Sequence, residues 1–219
     1  MTLRAVVFDL DYTLAVPDRN RETLLREAAA AAGAPSLSRE AYLAAHRRNL
    51  TSETREPIFA ELLADRDGEA DPAEVAAAYR RAIAAALEPV PGAADLVRRL
   101  RDRYRVGLLT NGPVRAQRDK LATLGWEALF DAAVVTGDLA AGKPDERAFE
   151  AVLDRLGVAP DEAAYVGDEV EADVRGASEA GLAVVQVVWP EGPDPDPRAD
   201  GHVDRAELTA ELPGVLDGR

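Results

Sequence analysis

The chain has 219 residues, no cysteine and a formal net charge of −14 at pH 7. Without cysteine it forms no disulfide, thiolate metal site or cysteine nucleophile, and its acidity disfavours non-specific binding to nucleic acid or to anionic membranes. No apolar stretch approaches the length of a membrane span. Acidic residues also follow the N-terminal apolar segment too early for a secretory signal, so we expect a cytoplasmic protein.

The first predicted element is an apolar run at residues 4–8 that ends at two carboxylates, Asp9 and Asp11. Its Val and Phe residues predict a buried parallel strand, and such strands carry functional groups at their carboxyl ends. Two carboxylates this close stay ionised together only if a cation or hydrogen-bond donors compensate them. Mg²⁺ meets this need, since it is usually held by one or two carboxylates and by substrate phosphate. The alternative is a strand that simply ends in a solvated turn.

After Leu14 the pattern becomes alanine-rich and helical. The apolar spacing predicts four helices without an intervening strand, at residues 21–32, 39–49, 56–64 and 72–87, with breakers at residues 33–35 and at Asp67-Gly68. Four helices are too many for one crossover between parallel strands. We therefore expect residues 16–88 to form a small all-α domain inserted into a core made of residues 1–15 and 89–219.

From Pro91 onward, helices and strands alternate. The predicted helices are residues 93–103, 114–124, 146–156 and 170–180, and the predicted strands are residues 105–109, 132–135, 163–166 and 183–188. Residues 190–201 are predicted to be a solvated loop, followed by a short helix at 207–212. This alternation predicts an α/β fold, a Rossmann-like three-layer sandwich with a parallel sheet.

Three of the later strands also end at reactive residue types. One runs into Thr110-Asn111-Gly112, which offers a hydroxyl and backbone N–H donors to a phosphate oxygen, although the same tripeptide is a common turn. Another precedes Lys143, whose ammonium suits a transferring phosphoryl group. A third ends at Asp168 and Glu169, with Asp173 on the following helix. Such acidic residues can serve simply as helix caps.

Lysine is scarce, because it occurs only at Lys120 and Lys143. Lys143 lies in a Gly-Lys-Pro turn, which supports a functional role, whereas Lys120 is predicted to lie on a solvated helix face. The basic cluster His46-Arg47-Arg48 could meet an anionic substrate, but solvated helix residues are the preferred interpretation.

These segments, in this order and at these strand ends, resemble the four motifs of the haloacid dehalogenase (HAD) superfamily: Asp9-Leu10-Asp11-Tyr12-Thr13, Thr110, Lys143-Pro144, and Gly167-Asp168-Glu169 through Asp173. The resemblance covers essentially the whole chain, with the helical insert at the position of that family's α-helical cap. One departure is Tyr12, where most phosphatases of the family carry Gly.

The resemblance implies a Mg²⁺-dependent hydrolase of a small phosphorylated metabolite, with Asp9 as nucleophile and Asp11 as general acid and then base. It implies three metal ligands and three phosphate-binding residues: Asp9, the backbone carbonyl of Asp11 and Asp168 for the metal, and Thr110, Asn111 and Lys143 for the phosphate. Asp173 and Glu169 would act behind them, on metal-bound waters or on Lys143.

The same residues bear on other activities. Dehalogenation and phosphonate hydrolysis are disfavoured because Asp11 is retained and because the insert has no lysine. A sugar phosphomutase would use the same four motifs and stays open. A phosphoaspartate switch that resembles receiver domains is disfavoured, because receivers carry the acceptor aspartate on a middle strand and lack a helical insert.

Overall fold

The computed structural model describes residues 2–64 and 70–218, so the predicted breaker at Asp67-Gly68 lies outside the described residues. The strands in chain order are β1 (Ala5–Phe8), β2 (Ala15–Pro17), β3 (Leu87–Pro89), β4 (Arg105–Thr110), β5 (Ala132–Val135), β6 (Ala163–Gly167), β7 (Ala183–Val188) and β8 (Gly201–Asp204). Six of them form a parallel sheet in the order β5-β4-β1-β6-β7-β8.

The α-helices are α1 (Arg21–Ala31), α2 (Arg39–Arg48), α3 (Glu56–Leu63), α4 (Pro72–Ala86), α5 (Ala93–Leu100), α6 (Val114–Leu124), α7 (Glu146–Leu156), α8 (Gly176–Glu179) and α9 (Leu208–Asp217). Helices cover both faces of the sheet, which confirms the predicted Rossmann-like α/β sandwich. Among the described residues, no helix combines the length and the apolar character that a membrane crossing requires.

Strand β1 lies at the centre of the sheet and explains where the site forms. It pairs with β4 on one side and β6 on the other, and all four of its residues are fully buried. Val6 and Phe8 pack into one apolar core with α5 and α9, while Ala5 and Val7 pack into a second core with α7. The next strands of the sheet along the chain, β4 and β5, lie on one side of β1, and β6, β7 and β8 lie on the other. Open α/β sheets bind ligands at the carboxyl edge beside such a switch point, and Asp9 is the residue that follows β1.

Helices α1–α4 form a bundle with an apolar core of its own, rich in aromatic rings. Three of these helices begin at capping side chains that accept a backbone hydrogen bond: Asn20, Ser38 and Asp71. The bundle joins the sheet through β2 and β3, which pair with each other in antiparallel fashion. The division into two domains stays a prediction, which this separate core supports.

Three short strands and the last helix differ from the sequence interpretation. Strands β2, β3 and β8 were not predicted, and β8 begins where the loop at 190–201 was expected to end. Helix α9 continues past Leu212 and contains Pro213. Proline leaves the carbonyl four residues earlier, that of Thr209, without its helical donor. Arg99 Nη2 lies 3.5 Å from that carbonyl, which compensates in part.

Candidate active site

The turn after β1 fixes two carboxylates at the carboxyl edge of the sheet. The N–H of Asp9 donates to a carbonyl of β6 (2.9 Å) and extends the pairing by one residue. The N–H groups of Leu14 and Ala15 both donate to the carbonyl of Leu10 (3.0 Å each), which closes a tight turn around Asp11. The two carboxylates therefore follow a rigid, fully buried strand.

Tyr12 lies within this turn in a left-handed conformation, with φ of +64°. Glycine adopts this region without strain, which explains why the resemblance predicts Gly here, whereas a side chain at this position is strained. Two contacts hold the turn: the ring of Tyr12 stacks on Trp189 with centroids 6.1 Å apart, and Arg205 Nη1 donates to the Tyr12 carbonyl at 3.3 Å. The departure from the family pattern thus puts a strained residue into the turn that carries Asp11.

The ammonium of Lys143 ties the central strands together. Its Nζ lies within hydrogen-bond distance of four oxygens: Asp9 Oδ1 (2.6 Å), Asp173 Oδ1 (2.7 Å), the Tyr165 hydroxyl (2.7 Å) and the Leu109 carbonyl (3.1 Å). Burial lowers the pKa of Lys143, but the nearby carboxylates of Asp173 and Asp9 raise it by more, so the pKa lies well above its usual value. Lys143 is therefore a permanent cation at the carboxyl edge of the sheet.

Three carboxylates cluster at this edge. Asp9, Asp168 and Asp173 each offer an oxygen, and these oxygens lie within 4.8 Å of one another. The N–H of Asp168 donates to Asp173 Oδ2 (3.1 Å), and the hydroxyl of Thr13 donates to Asp168 Oδ1 (3.1 Å). Gly167 permits this approach, because a Cβ there would lie 2.6 Å from the carboxyl carbon of Asp173. The cluster is therefore built into the backbone of the fourth motif.

The charges in the cluster do not balance without a further cation. Three carboxylates share the single ammonium of Lys143, and burial raises the pKa of Asp9 to about 7 although Lys143 acts in the opposite direction. Burial and the charges of Asp173 and Asp9 also hold the pKa of Asp168 well above its usual range. An all-oxygen, negatively charged donor set, in which Asp9 and Asp173 are buried and Asp168 is half-buried, fits Mg²⁺.

Asp11 faces away from this cluster toward Lys120. Lys120 Nζ lies 2.7 Å from Asp11 Oδ1 and 2.5 Å from Oδ2, and Gln117 Nε2 donates to Oδ2 at 3.1 Å. Burial alone would raise the pKa of Asp11, but Lys120 and Gln117 lower it below the usual range. Burial in turn lowers the pKa of Lys120 to about 8 despite the attraction of Asp11. The prediction that Lys120 lies on a solvated face is wrong: it is 6 % exposed, because α6 turns it under the β1 turn.

The second predicted motif lies beside Asp11 at the end of β4. Gln117 Nε2 also donates to the hydroxyl of Thr110 (2.7 Å) and to the Asn111 carbonyl (2.6 Å). The Asn111 side chain donates to the Lys143 carbonyl (3.0 Å) and accepts from the Lys143 N–H (2.9 Å). These reciprocal bonds lock the loop of Lys143 to the loop of Thr110, so the two predicted phosphate-binding segments form one unit.

The structure thus brings most of the predicted site residues to one edge of the sheet: Asp9, Asp11, Thr110, Asn111, Lys143, Asp168 and Asp173. Glu169 joins them through its backbone, since its N–H donates to Asp173 Oδ2 (3.0 Å) while the residue itself is exposed. The solvated interpretation holds for Arg47 and Arg48, which are exposed, and is wrong for His46, which lines the cleft described next.

A cleft separates this edge from the helical bundle, and we call it the bundle cleft. Asp11, Asn111 and Gln117 line it on the sheet side, and Arg21 and Arg55 line it on the bundle side. Its interior volume is only about 40 Å³. Neither arginine was predicted to line a site, and nor was Gln117, because a helical pattern does not distinguish a polar side chain that faces a cleft from one that faces solvent.

The chain resembles known proteins over most of its length. The family profile described as haloacid dehalogenase-like hydrolase matches residues 3–181. A glyceraldehyde 3-phosphate phosphatase from Methanopyrus kandleri is 32 % identical over 94 % of this chain and 93 % of its own length. A phosphoserine phosphatase from Thermus thermophilus is 38 % identical over 65 % of this chain and 59 % of its own. A solved HAD phosphatase from Thermococcus onnurineus superposes with a TM-score of 0.71 at 27 % identity and covers 99 % of each chain.

Proposed function

The chain belongs to the haloacid dehalogenase-like hydrolases, and from this premise we propose that it is a Mg²⁺-dependent phosphatase that hydrolyses a small phosphate monoester through an aspartyl-phosphate at Asp9. The observation that carries the proposal is the position of Asp9. It follows the central strand, its Oδ1 lies 2.6 Å from Lys143 Nζ, and it belongs to a cluster of three carboxylates in which Asp9 and Asp173 are buried and Asp168 is half-buried.

In the first step, an oxygen of Asp9 attacks the phosphorus of the ester, and the bond between phosphorus and the leaving oxygen breaks. Lys143 is held beside Asp9 by four oxygens and presents a positive charge to the phosphoryl oxygens. Thr110 and the N–H of Asn111 orient the same group. Preorganised charges of this kind lower the barrier because they need no rearrangement during the reaction.

Asp11 transfers the protons. Lys120 keeps it ionised at rest, and the dianionic phosphate of an incoming substrate raises its pKa by like-charge repulsion, so that it takes up a proton. It then gives this proton to the leaving oxygen. In the second step the carboxylate accepts a proton from the water that attacks the phosphorus, and inorganic phosphate leaves Asp9. General acid and base catalysis of this kind contributes about 10²–10⁴-fold.

Asp9, Asp168 and the backbone carbonyl of Asp11 would hold the metal, and Asp173 would steady both Asp168 and Lys143. Bound Mg²⁺ would supply positive charge that offsets the repulsion between the anionic nucleophile and the anionic phosphate. The charge imbalance among Asp9, Asp168 and Asp173 supports this assignment.

The test is the release of inorganic phosphate by the purified protein with Mg²⁺ and with EDTA. The substrates include glyceraldehyde 3-phosphate and phosphoserine, on which two relatives act, and p-nitrophenyl phosphate as a general ester. We expect turnover with Mg²⁺ only, and none for Asp9→Asn. Glu127→Gln is the matched control, because Glu127 is an exposed carboxylate far from the motifs in sequence.

A rapid acid quench with a radiolabelled ester tests the intermediate. We expect label on the wild-type protein within the first turnover and none on Asp9→Asn. Release of phosphate from no ester by a folded protein would contradict the phosphatase proposal. Label that persists on Asp9 for hours without turnover would favour a phosphoaspartate switch.

A further inference from the structure

The bundle cleft must receive the leaving group of the substrate, if the proposed function holds. Asp11 gives its proton to the leaving oxygen, and Asp11 lines this cleft together with Asn111 and Gln117. The part of the substrate beyond the ester oxygen therefore extends from the sheet edge toward the bundle. Arg21 and Arg55 are the two charged residues that line the cleft on that side.

Both arginines are charged groups that contact tyrosines and pair with no carboxylate among the described residues. The guanidinium carbon of Arg21 lies 5.8 Å from the ring centre of Tyr42, and Arg55 Nε donates to the hydroxyl of the same tyrosine at 3.1 Å. The guanidinium carbon of Arg55 also lies 5.3 Å from the ring centre of Tyr79. Arg55 is only 7 % exposed.

Other arginines of the bundle are paired or exposed. Arg19, Arg48 and Arg80 each pair with a carboxylate: Glu27, Glu61 and Asp119, respectively. Outside the cleft, the described arginines of the bundle that pair with no carboxylate are exposed: Arg26, Arg39, Arg47 and Arg81. A cation that faces a cleft between protein layers is costly unless an anion or several acceptors compensate it. The two unpaired guanidinium groups in one small cleft therefore distinguish this surface from the rest of the bundle.

The charges around the cleft show the same excess. Arg21, Arg55 and Lys120 are cations, and Asp11 is the single carboxylate among the lining residues that the structure describes. Two buried acceptor atoms of the lining, Gln117 Oε1 and His46 Nδ1, also have no hydrogen-bond partner there. Gln117 is 1 % exposed, and the two N–H groups of its Nε2 have three acceptors within hydrogen-bond distance, whereas its Oε1 has no donor in the part of the chain that the structure describes and faces the cleft lining unpaired.

We propose that Arg21 and Arg55 bind a carboxylate on the leaving group, so that the preferred substrate is a small phosphate monoester of a carboxylic acid. A guanidinium offers paired N–H donors that match a carboxylate, and two of them line this cleft. Gln117 Oε1 and His46 Nδ1 can accept from a hydroxyl or ammonium group beside that carboxylate. This inference rests on the proposed phosphatase function.

The test compares esters that share a carbon skeleton. 3-Phosphoglycerate carries a carboxylate where glyceraldehyde 3-phosphate carries an aldehyde and glycerol 3-phosphate a hydroxymethyl group. We expect kcat/KM for 3-phosphoglycerate to exceed that of both analogues without a carboxylate by about 10- to 100-fold, the range for hydrogen bonds to charged groups. Propane-1,3-diol bisphosphate measures whether a second phosphate replaces the carboxylate.

Two substitutions assign the preference to the arginines. Arg21→Gln and Arg55→Gln should each lower kcat/KM for 3-phosphoglycerate by about 10-fold or more, mainly through KM, with less than a 3-fold change for glycerol 3-phosphate. Arg26→Gln, an exposed arginine on the same helix as Arg21, is the matched control and should change neither. Because Arg55 packs in the bundle, the thermal unfolding of the Arg55→Gln protein is measured in parallel. Arg55→Lys should retain part of the preference for 3-phosphoglycerate that Arg55→Gln loses.

The outcomes separate this inference from the proposed function. Turnover without a preference for 3-phosphoglycerate would overturn the carboxylate site and leave the phosphatase proposal intact. So would an equal loss of kcat/KM in Arg21→Gln for esters with and without a carboxylate. A larger kcat/KM for the bisphosphate would reassign the site to phosphate. If no ester turns over, calorimetry of Asp9→Asn with 3-phosphoglycerate and glycerol 3-phosphate decides: tighter binding of the former supports the carboxylate site, and equal binding overturns it.

Discussion

Replacing Lys143 with methionine should destabilise the protein more than any other single change in the site. Methionine fills similar space, but it removes the cation shared by Asp9 and Asp173. The side chains of Lys143 and Asp173 are each 2 % exposed and that of Asp9 is 9 % exposed, so water cannot replace the lost charge. Breaking a buried ion pair from one side costs about 3–5 kcal/mol.

The size of the chain converts this cost into a measurable shift. For 150–250 residues, 1 kcal/mol changes Tm by about 2–4 °C, so Lys143→Met should lower the Tm of the metal-free protein by about 6–20 °C. Calorimetry in EDTA at pH 7 measures this shift directly. The same variant should also lose about 10²–10³-fold in kcat, the cost of removing one preorganised donor.

Lys120→Met is the matched control, since it removes the other lysine of the chain. Lys120 pairs with one carboxylate, that of Asp11, whose side chain is 28 % exposed and remains partly hydrated after the change. We therefore expect a smaller loss for Lys120→Met, about 1–2 kcal/mol. A Tm shift for Lys143→Met that is below 2 °C, or no larger than that of Lys120→Met, would refute the role of Lys143 as the charge that holds the site together.

Three further predictions test other parts of the site. Asp11→Asn should keep the fold and lower kcat by about 10²–10⁴-fold, as measured by phosphate release; an unchanged rate would exclude it as the proton donor. Burial, with the charges of Arg55 and Arg21, lowers the pKa of His46 to about 3, so the unfolded chain binds a proton below pH 6.5 that the folded protein does not. Between pH 7 and pH 5 the free energy of unfolding of the wild type, measured with urea, should therefore fall by about 2 kcal/mol more than that of His46→Gln. An equal fall in both proteins would contradict the buried, neutral state of His46. At Tyr12, whose φ is +64°, Gly should be more stable than Ala by about 1–2 kcal/mol in urea unfolding, the reverse of the usual order; an Ala variant of equal stability would show that the turn relaxes.

Most of the fold was predictable because its signals are local. The strand at residues 4–8 and the helices α6 and α7 follow directly from apolar periodicity and helix-end residues. The strands β2 (Ala-Val-Pro) and β8 (Gly-His-Val-Asp) were missed because neither contains the run of four apolar residues that marks β1 and β5. Their pairing depends on a neighbouring strand rather than on their own composition.

The positions of Asp9 and Lys143 could be predicted for a related reason: residues that follow parallel strands meet at one edge. Lys120 could not, because its partner Asp11 lies 109 residues away along the chain, and its burial depends on how α6 packs under the β1 turn. The positions of Arg21 and Arg55 in the bundle cleft could not be predicted either. Their environment arises only when the bundle lies against the sheet, and helical spacing does not encode that contact.

The antiparallel ladder of β2 and β3 has a consequence for how such proteins diversify. Ala15 pairs with Pro89 and Pro17 pairs with Leu87, so the strand that enters the bundle and the strand that leaves it lie side by side. A two-residue Asn-Gly hairpin could close the same gap, and so could an unrelated helical segment of any length. Exchanging the segment at this junction would alter the selectivity while the strand carrying the nucleophile kept its register. Exchange of the segment between these two adjacent junctions, in a genome or in the laboratory, is therefore a direct route to new substrates on an unchanged chemical framework.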